Sequence, residues 1–221
     1  MDVKIISTAD GSKSLFVPEI NETYHSKFGA ITESKHVFIE SGYHFINKPV
    51  INILEIGFGT GLNVFLTYWE QQKDQRKIYF ETLEKYPLPE NIIAEINNFK
   101  LPEEKDLFAR LHQADWEKPV KLQDDFILCK RETDLLDYQA DRKFNLIYFD
   151  AFAPNKQAEL WTEEVFQKMY DLLEENGVLV TYSAKGSVRR AMQTVGFQVQ
   201  RIPGPPGKRE MLRAIKPLHA L

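Results

Sequence analysis

Cysteine is nearly absent. Cys129 is the single one in 221 residues, which excludes an intramolecular disulfide, a Cys-x-x-Cys redox pair and a multi-cysteine zinc site. Long apolar runs are missing too: none approaches the ~18 residues that read as a membrane span. The opening stretch, MDVKIISTADGSKS, lacks the apolar centre of a secretory signal. A reducing, cytoplasmic setting without membrane contact is expected from these absences. Positive charge is not in excess. Lys and Arg number 28 against 32 Asp and Glu, a net charge of −4, and a uniformly basic nucleic-acid coat is excluded. Internal repeats and low-complexity tracts are lacking. The five histidines (His25, His36, His44, His112 and His219) are scattered without metal-ligand spacing, so no metal is expected.

What is present is an ordinary globular composition, 43% hydrophobic and 27% charged, long enough for one full core. The charge is uneven. From Lys185 onward there are eight bases (Lys185, Arg189, Arg190, Arg201, Lys208, Arg209, Arg213 and Lys216) and one acid, Glu210. The remainder carries 20 bases and 31 acids. A basic end on an acidic chain is either a solvated face or the site of an anionic partner.

Hydrophobic patterning predicts a hairpin over 3–17, short strands at 36–40, 51–56, 78–84, 126–129, 144–152 and 177–183, and a final hairpin from 197–202 and 209–214. Helices are predicted at 62–73, 89–99, 162–174 and 187–195, with Thr162 as an N-cap. Strands alternating with helices imply an α/β fold with a mostly parallel sheet. Residues 1–50 do not fit the alternation and read as a small β-rich extension before a domain over 51–221.

The sharpest local signal is Glu55-Ile56-Gly57-Phe58-Gly59-Thr60-Gly61. It follows a predicted strand and opens a predicted helix, where glycines permit close backbone approach to a ligand and the helix start offers unpaired N–H groups. A dinucleotide fingerprint requires a glycine at position 62; Leu62 stands there instead. Glu55 beside the loop disfavours a pyrophosphate and suits a cationic ligand such as the amino-acid end of S-adenosylmethionine (SAM). The acid-x-G-x-G-x-G pattern resembles the first motif of Rossmann-like class I methyltransferases. Glu84 ends the second predicted strand, where an acid accepts from ribose hydroxyls; Glu81 is the competitor. Asp134 follows the third strand and is one of several acids placed for an adenine amino group.

Asp150, in Phe149-Asp150-Ala151-Phe152-Ala153-Pro154, closes the fourth strand. The carboxyl ends of strands face the ligand crevice in open α/β sheets, and a carboxylate after a run of apolar residues is costly unless used. It can orient an incoming amine or take its proton. Trp161 either covers the crevice or packs against a helix. Cys129, within a predicted buried strand, is a poor candidate for a carbon-methylating nucleophile.

With these residues in place, the sequence resembles the methyltransferase part of the MnmC-type tRNA 5-methylaminomethyl-2-thiouridine enzymes, and especially its stand-alone form, MnmD. The shared segments run in order: Tyr24-His25-Ser26, Gly29-Ala30 and Glu33; His36 through Ile39; Glu55 through Asn63; Leu83 through Leu88; Phe149 through Pro154; Leu160-Trp161-Thr162; Ser187 through Arg190; and Lys208 through Leu212. They span residues 22–214. The resemblance implies SAM-dependent N-methylation of the 5-aminomethyl group of the wobble uridine in tRNA. It implies that Glu55, Gly57, Phe58, Gly59, Thr60, Gly61 and Glu84 bind SAM, with Asp134 a candidate for the adenine. It puts Asp150 beside the accepting amine and Tyr24, Glu33, Phe152, Arg189, Arg190, Lys208 and Arg209 on the tRNA side. Bifunctional relatives add an FAD-dependent oxidase domain. This chain is too short for it, so no FAD is expected, and separate enzymes would supply the aminomethyl uridine. The basic end would meet phosphates of the anticodon arm, with the wobble base flipped into the crevice.

Four other readings compete: a class I methyltransferase acting on a small molecule or protein, an aminopropyltransferase, a non-enzymatic RNA-binding module, and an NAD oxidoreductase. The last two leave the glycine loop unexplained or misplace its third glycine.

Overall fold

A computed structural model describes residues 3–97 and 101–218. The chain opens with β1 (Lys4–Ser7), β2 (Lys13–Val17) and β3 (Glu22–Thr23), which form a three-stranded antiparallel sheet. The predicted hairpin is present, and β3 is an addition to it. Helix α1 (Ala30–Ser34) runs directly into a π-helical segment, Lys35–Glu40. The strand predicted at 36–40 is therefore wrong. His-Val-Phe-Ile is short and apolar, which reads equally as a buried strand or a buried helical turn. Here Val37, Phe38 and Ile39 are all buried, with Phe38 5.1 Å from Tyr148.

The main body alternates as expected: β4 (Val50–Ile56), α2 (Leu62–Asp74), β5 (Lys77–Glu84), α3 (Glu90–Ile96), α4 (Pro102–Gln113), β6 (Pro119–Gln123), β7 (Phe126–Glu132), β8 (Phe144–Phe149), α5 (Glu163–Leu172), β9 (Leu173–Thr181), α6 (Gly186–Thr194), β10 (Gln198–Pro203) and β11 (Glu210–Ile215). The strands form one sheet in the order β10-β11-β9-β8-β4-β5-β7-β6. The five from β9 to β7 are parallel; β6 and β11 run against them, and β10 and β11 make the predicted hairpin. Central strands buried on both faces become continuous apolar runs, and all six residues of β8 are buried.

Thr162 caps α5 as predicted, its hydroxyl accepting from the Val165 amide at 3.3 Å. That helix ends at Leu172, not at 174, because the chain turns straight into β9. Helix α4 and strand β6 were not predicted. Helix α4 opens on a charged first turn and buries only Leu107, Phe108 and Leu111, and β6 is five residues long with Leu122 alone buried. The end of the helix predicted over 89–99 lies outside the described residues.

Two apolar layers cover the sheet. One joins Phe65, Phe108 and Leu111 to Leu15, Phe38 and Tyr43 of the N-terminal segment. The other is built on Phe149, Phe166, Met169 and Met192. Strand order reverses at β4, between β5 and β8, and such a switch point opens a crevice at the strands' carboxyl ends. Both the glycine loop and Asp150 emerge there.

Candidate active site

A cavity of about 690 Å³ fills this crevice. Its walls come from the loops after β4, β5, β7 and β8, and from residues 20–26 and Glu33 of the N-terminal segment. The unit that breaks the βαβ alternation thus supplies one wall of the site.

The glycine loop turns tightly beneath the cavity. The amides of Gly57 and Phe58 both donate to the Leu83 carbonyl at 3.0 Å, tying the loop to the end of β5. Gly57 has φ +95°, and a Cβ there would stand 2.9 Å from the Asp150 carbonyl oxygen. Only glycine fits this combination of a left-handed backbone and a neighbouring strand end. Behind the loop, neutral His112 donates from Nε2 to the Thr60 carbonyl at 3.1 Å; burial lowers its pKa to about 4. Phe58 is buried 5.2 Å from the His112 ring.

Glu84 is held by two backbone amides, Gly59 to Oε2 and Tyr86 to Oε1, each at 2.9 Å. Burial raises its pKa against the opposing pull of those amides. Each carboxylate oxygen retains a lone pair for an incoming hydroxyl. Glu81 is committed elsewhere, paired with Arg131 at 2.9 Å. Asp134 lines the cavity, with Lys85 2.8 Å away, and that pairing holds its carboxyl below the usual range.

At the other end Asp150 sits in the cavity wall. Its Oδ2 accepts from Asn63 Nδ2 at 2.9 Å. Burial pushes its pKa up to about 7; the Asn63 bond and Lys208 pull it down, and Glu33 adds repulsion. Glu33 accepts from the Ser26 amide at 2.7 Å and from Lys208 at 2.8 Å. Lys208 Nζ also lies 4.0 Å from the centroid of the Tyr182 ring, while the Tyr182 hydroxyl donates to the Ala151 carbonyl at 2.8 Å. Tyr24 and Phe152 meet edge to face at 5.3 Å, and both line the cavity.

The structure thus gathers Tyr24, Glu33, Gly57, Phe58, Gly59, Thr60, Glu84, Asp134, Asp150, Phe152 and Lys208 around one space. Glu55 and Gly61 are not in its lining: Glu55 is fully buried behind the loop, and Gly61 is the left-handed N-cap residue just before α2. Arg189, Arg190 and Arg209 stand outside the lining as well; Arg190 and Arg209 are exposed. Of the other C-terminal bases, Arg213 stacks on Phe45 at 3.7 Å and Lys216 donates to the Tyr170 and Leu173 carbonyls. Trp161 is packed against Phe149 at 5.0 Å, with its indole N–H on the Phe152 carbonyl at 2.8 Å. Sequence reasoning missed Asn63 and Tyr182 as parts of the site. The first was visible as the polar second residue of the helix after the glycine loop. Nothing in the sequence marks the second.

A parallel sheet reversing at β4, a glycine loop that leaves no room for a side chain, and an acid held at the next strand end define a Rossmann-like methyltransferase site. The donor set fits SAM: Glu84 for hydroxyls, a glycine cradle for close approach, and carboxylates near the reacting end for a cation. A family model described as S-adenosyl-L-methionine-dependent methyltransferase matches residues 94–217. The chain belongs to that family. It is 30% identical over 220 residues to the tRNA 5-methylaminomethyl-2-thiouridine biosynthesis bifunctional protein MnmC of Burkholderia multivorans, covering 90% of this chain and 33% of that protein. The corresponding protein of Burkholderia thailandensis is 30% identical over 211 residues, 88% of this chain and 32% of the relative. The chain spans about a third of the length of these curated relatives. The crystal structure of MNMC2 from Aquifex aeolicus superposes with a TM-score of 0.77 at 28% identity, covering 100% of this chain and 72% of that one.

No helix among the described residues is long and apolar enough to cross a membrane.

Proposed function

We propose that the protein methylates the exocyclic amine of a 5-aminomethyl wobble uridine in tRNA. The observation that carries this reading is Asp150: a carboxylate with a pKa of about 7, in the same cavity as the glycine loop, beside Glu33 and Lys208. An ammonium cannot attack an electrophile, because its lone pair is used. Asp150 accepts the proton of the bound amine and keeps the lone pair directed along the cavity. SAM, when bound, supplies a methyl group already activated on a sulfonium. Glu84 fits its ribose hydroxyls, the backbone from Gly57 to Thr60 its amino-acid end, and Asp134 and its turn the base. Catalysis needs neither FAD nor a metal, since both the leaving group and the acceptor are complete without them.

The relatives' name, tRNA 5-methylaminomethyl-2-thiouridine biosynthesis, supports tRNA as the substrate. Tyr24 and Phe152, in edge-to-face contact at 5.3 Å, would form an aromatic wall for a flipped pyrimidine to pack against. Arg189, Arg190 and Arg209, outside the cavity, would meet phosphates of the anticodon arm. A separate upstream enzyme would install the aminomethyl group. The protein would work in the cytoplasm, where tRNA is modified.

Charge reversal at Arg189 and Arg190 is expected to weaken tRNA binding about tenfold or more near 0.1 M salt and to flatten the salt dependence. SAM affinity should stay unchanged by calorimetry. Unaltered tRNA binding in this double variant would move the phosphate contacts elsewhere; no tRNA binding by the wild type would favour a small-molecule amine as substrate.

A further inference from the structure

Glu55 was expected to contact the cofactor, yet it lies behind the loop, at 0% exposure. Among the described residues, no cation is among the groups that act on it most strongly. Thr82 of β5 donates to Oε2 at 2.6 Å. Asn63 of α2 lies within hydrogen-bonding reach; burial raises the carboxyl's pKa well above the usual range, the bonds from Thr82 and Asn63 pull it down, and the carboxyls of Asp150 and Glu84 push it further up. From β8 the paired neighbour is Tyr148. An ionised carboxyl so placed has lost its water and gained repulsion from two neighbouring carboxyls.

The hydrogen bonding points the same way. A carboxylate accepts and does not donate, so Asn63 must present its N–H to Asp150. That orients the amide oxygen away. Asn63 Oδ1 is buried without a partner, and so is Glu55 Oε1. Both are acceptors if Glu55 is ionised, and each such buried orphan is destabilising. One proton satisfies both.

We propose that Glu55 is a positioning residue that stays protonated and donates from Oε1 to Asn63 Oδ1, fixing the amide that donates to Asp150. The inference rests on the reading of Asp150 as the amine's proton acceptor. A chain Thr82–Glu55–Asn63–Asp150 then runs from the buried sheet to the cavity wall. Its effect is to hold the catalytic carboxylate in one orientation and to keep its pKa from rising further. The acid that opens the glycine motif acts here through the substrate end of the site and not as a charged ligand of SAM.

The test compares Glu55→Gln with Glu55→Ala. Glutamine donates from Nε2 and accepts at Oε1, reproducing both bonds. Glu55→Gln is expected to keep SAM affinity and kcat/KM within about threefold, with an unchanged acid limb in the pH profile. Glu55→Ala is expected to lower kcat/KM about tenfold or more and to move the acid limb to higher pH, as Asn63 loses its anchor. Infrared spectroscopy of the wild-type protein without substrate should reveal a carboxylic-acid carbonyl band above pH 8 that Glu55→Gln removes. A tenfold loss of SAM affinity in Glu55→Gln would overturn the proposal, as would absence of that band. Turnover persisting in Asp150→Asn while the band remains would instead reject the reading of Asp150.

Discussion

Asp150→Ala is expected to reduce methyl transfer by about 10³-fold, the scale of removing a positioned proton acceptor, while SAM binding changes by no more than a few-fold. The two outcomes separate because Asp150 faces the acceptor amine and the loop that would hold SAM is organised independently, through Leu83, Glu84 and His112. The pH dependence carries the same information. With a pKa near 7, the carboxylate is lost as pH falls, so kcat/KM in the wild type should drop below pH 7 with one proton per site. Stability moves in the opposite sense. A carboxyl raised from 3.8 to about 7 by burial binds its proton more tightly when folded. Its contribution to stability therefore falls as pH rises between those values. Asp150→Asn should consequently melt above the wild type at pH 8, by about 2–4 °C for each kcal/mol recovered. The gain should vanish below pH 4. Loss of activity with a gain in stability is the signature of a group retained for function. Near-wild-type turnover in Asp150→Ala would remove this residue from the chemistry.

Gly57→Val has the second large effect. A branched side chain at φ +95°, with its Cβ 2.9 Å from a backbone carbonyl, cannot be relieved by a rotamer change; either the loop or the end of β8 must move. Calorimetry should register a loss of SAM affinity of more than about 100-fold, and the fold should lose about 2–3 kcal/mol. Gly59 makes a useful contrast. Its Cβ would meet the Tyr24 ring edge at 3.2 Å, a side chain that can shift, so Gly59→Ala should lose less affinity. Gly59→Val should still abolish binding, because its larger side chain fills the space above the loop. Normal SAM affinity in Gly57→Val would place the cofactor elsewhere.

The parallel body was legible because buried central strands are unbroken apolar runs, as in INILEI and FNLIYF, and because capping signals such as Thr162 act locally. The segment 36–40 was not. A stretch of five residues with three apolar side chains looks the same whether a sheet or a helical turn buries it, and only the packing of Phe38 on Tyr148 decides. Helix α4 and strand β6 escaped because their apolar signal is slight: in α4 it is confined to Leu107, Phe108 and Leu111 behind a charged first turn, and in β6 to Leu122 alone. In the site, residues at the ends of strands could be ordered by number: Glu84 and Asp150 fall where the spacing put them. Glu33 and Lys208 are 175 positions apart and meet at 2.8 Å; no local pattern in either segment predicts that ion pair. Glu55 illustrates a further limit. Its place in the motif is plain from sequence, but whether it faces the cavity or the sheet depends on the pleat of β4 and the entry of Asn63 beside it.

Incubating the protein with labelled SAM and bulk tRNA from a strain lacking this modification, then digesting to nucleosides, tests the central claim most directly. Label is expected in 5-methylaminomethyl uridine, with none when Asp150→Ala replaces the wild type. Unlabelled tRNA, with SAM binding intact by calorimetry, would contradict the assignment to tRNA and leave a methyltransferase for another amine.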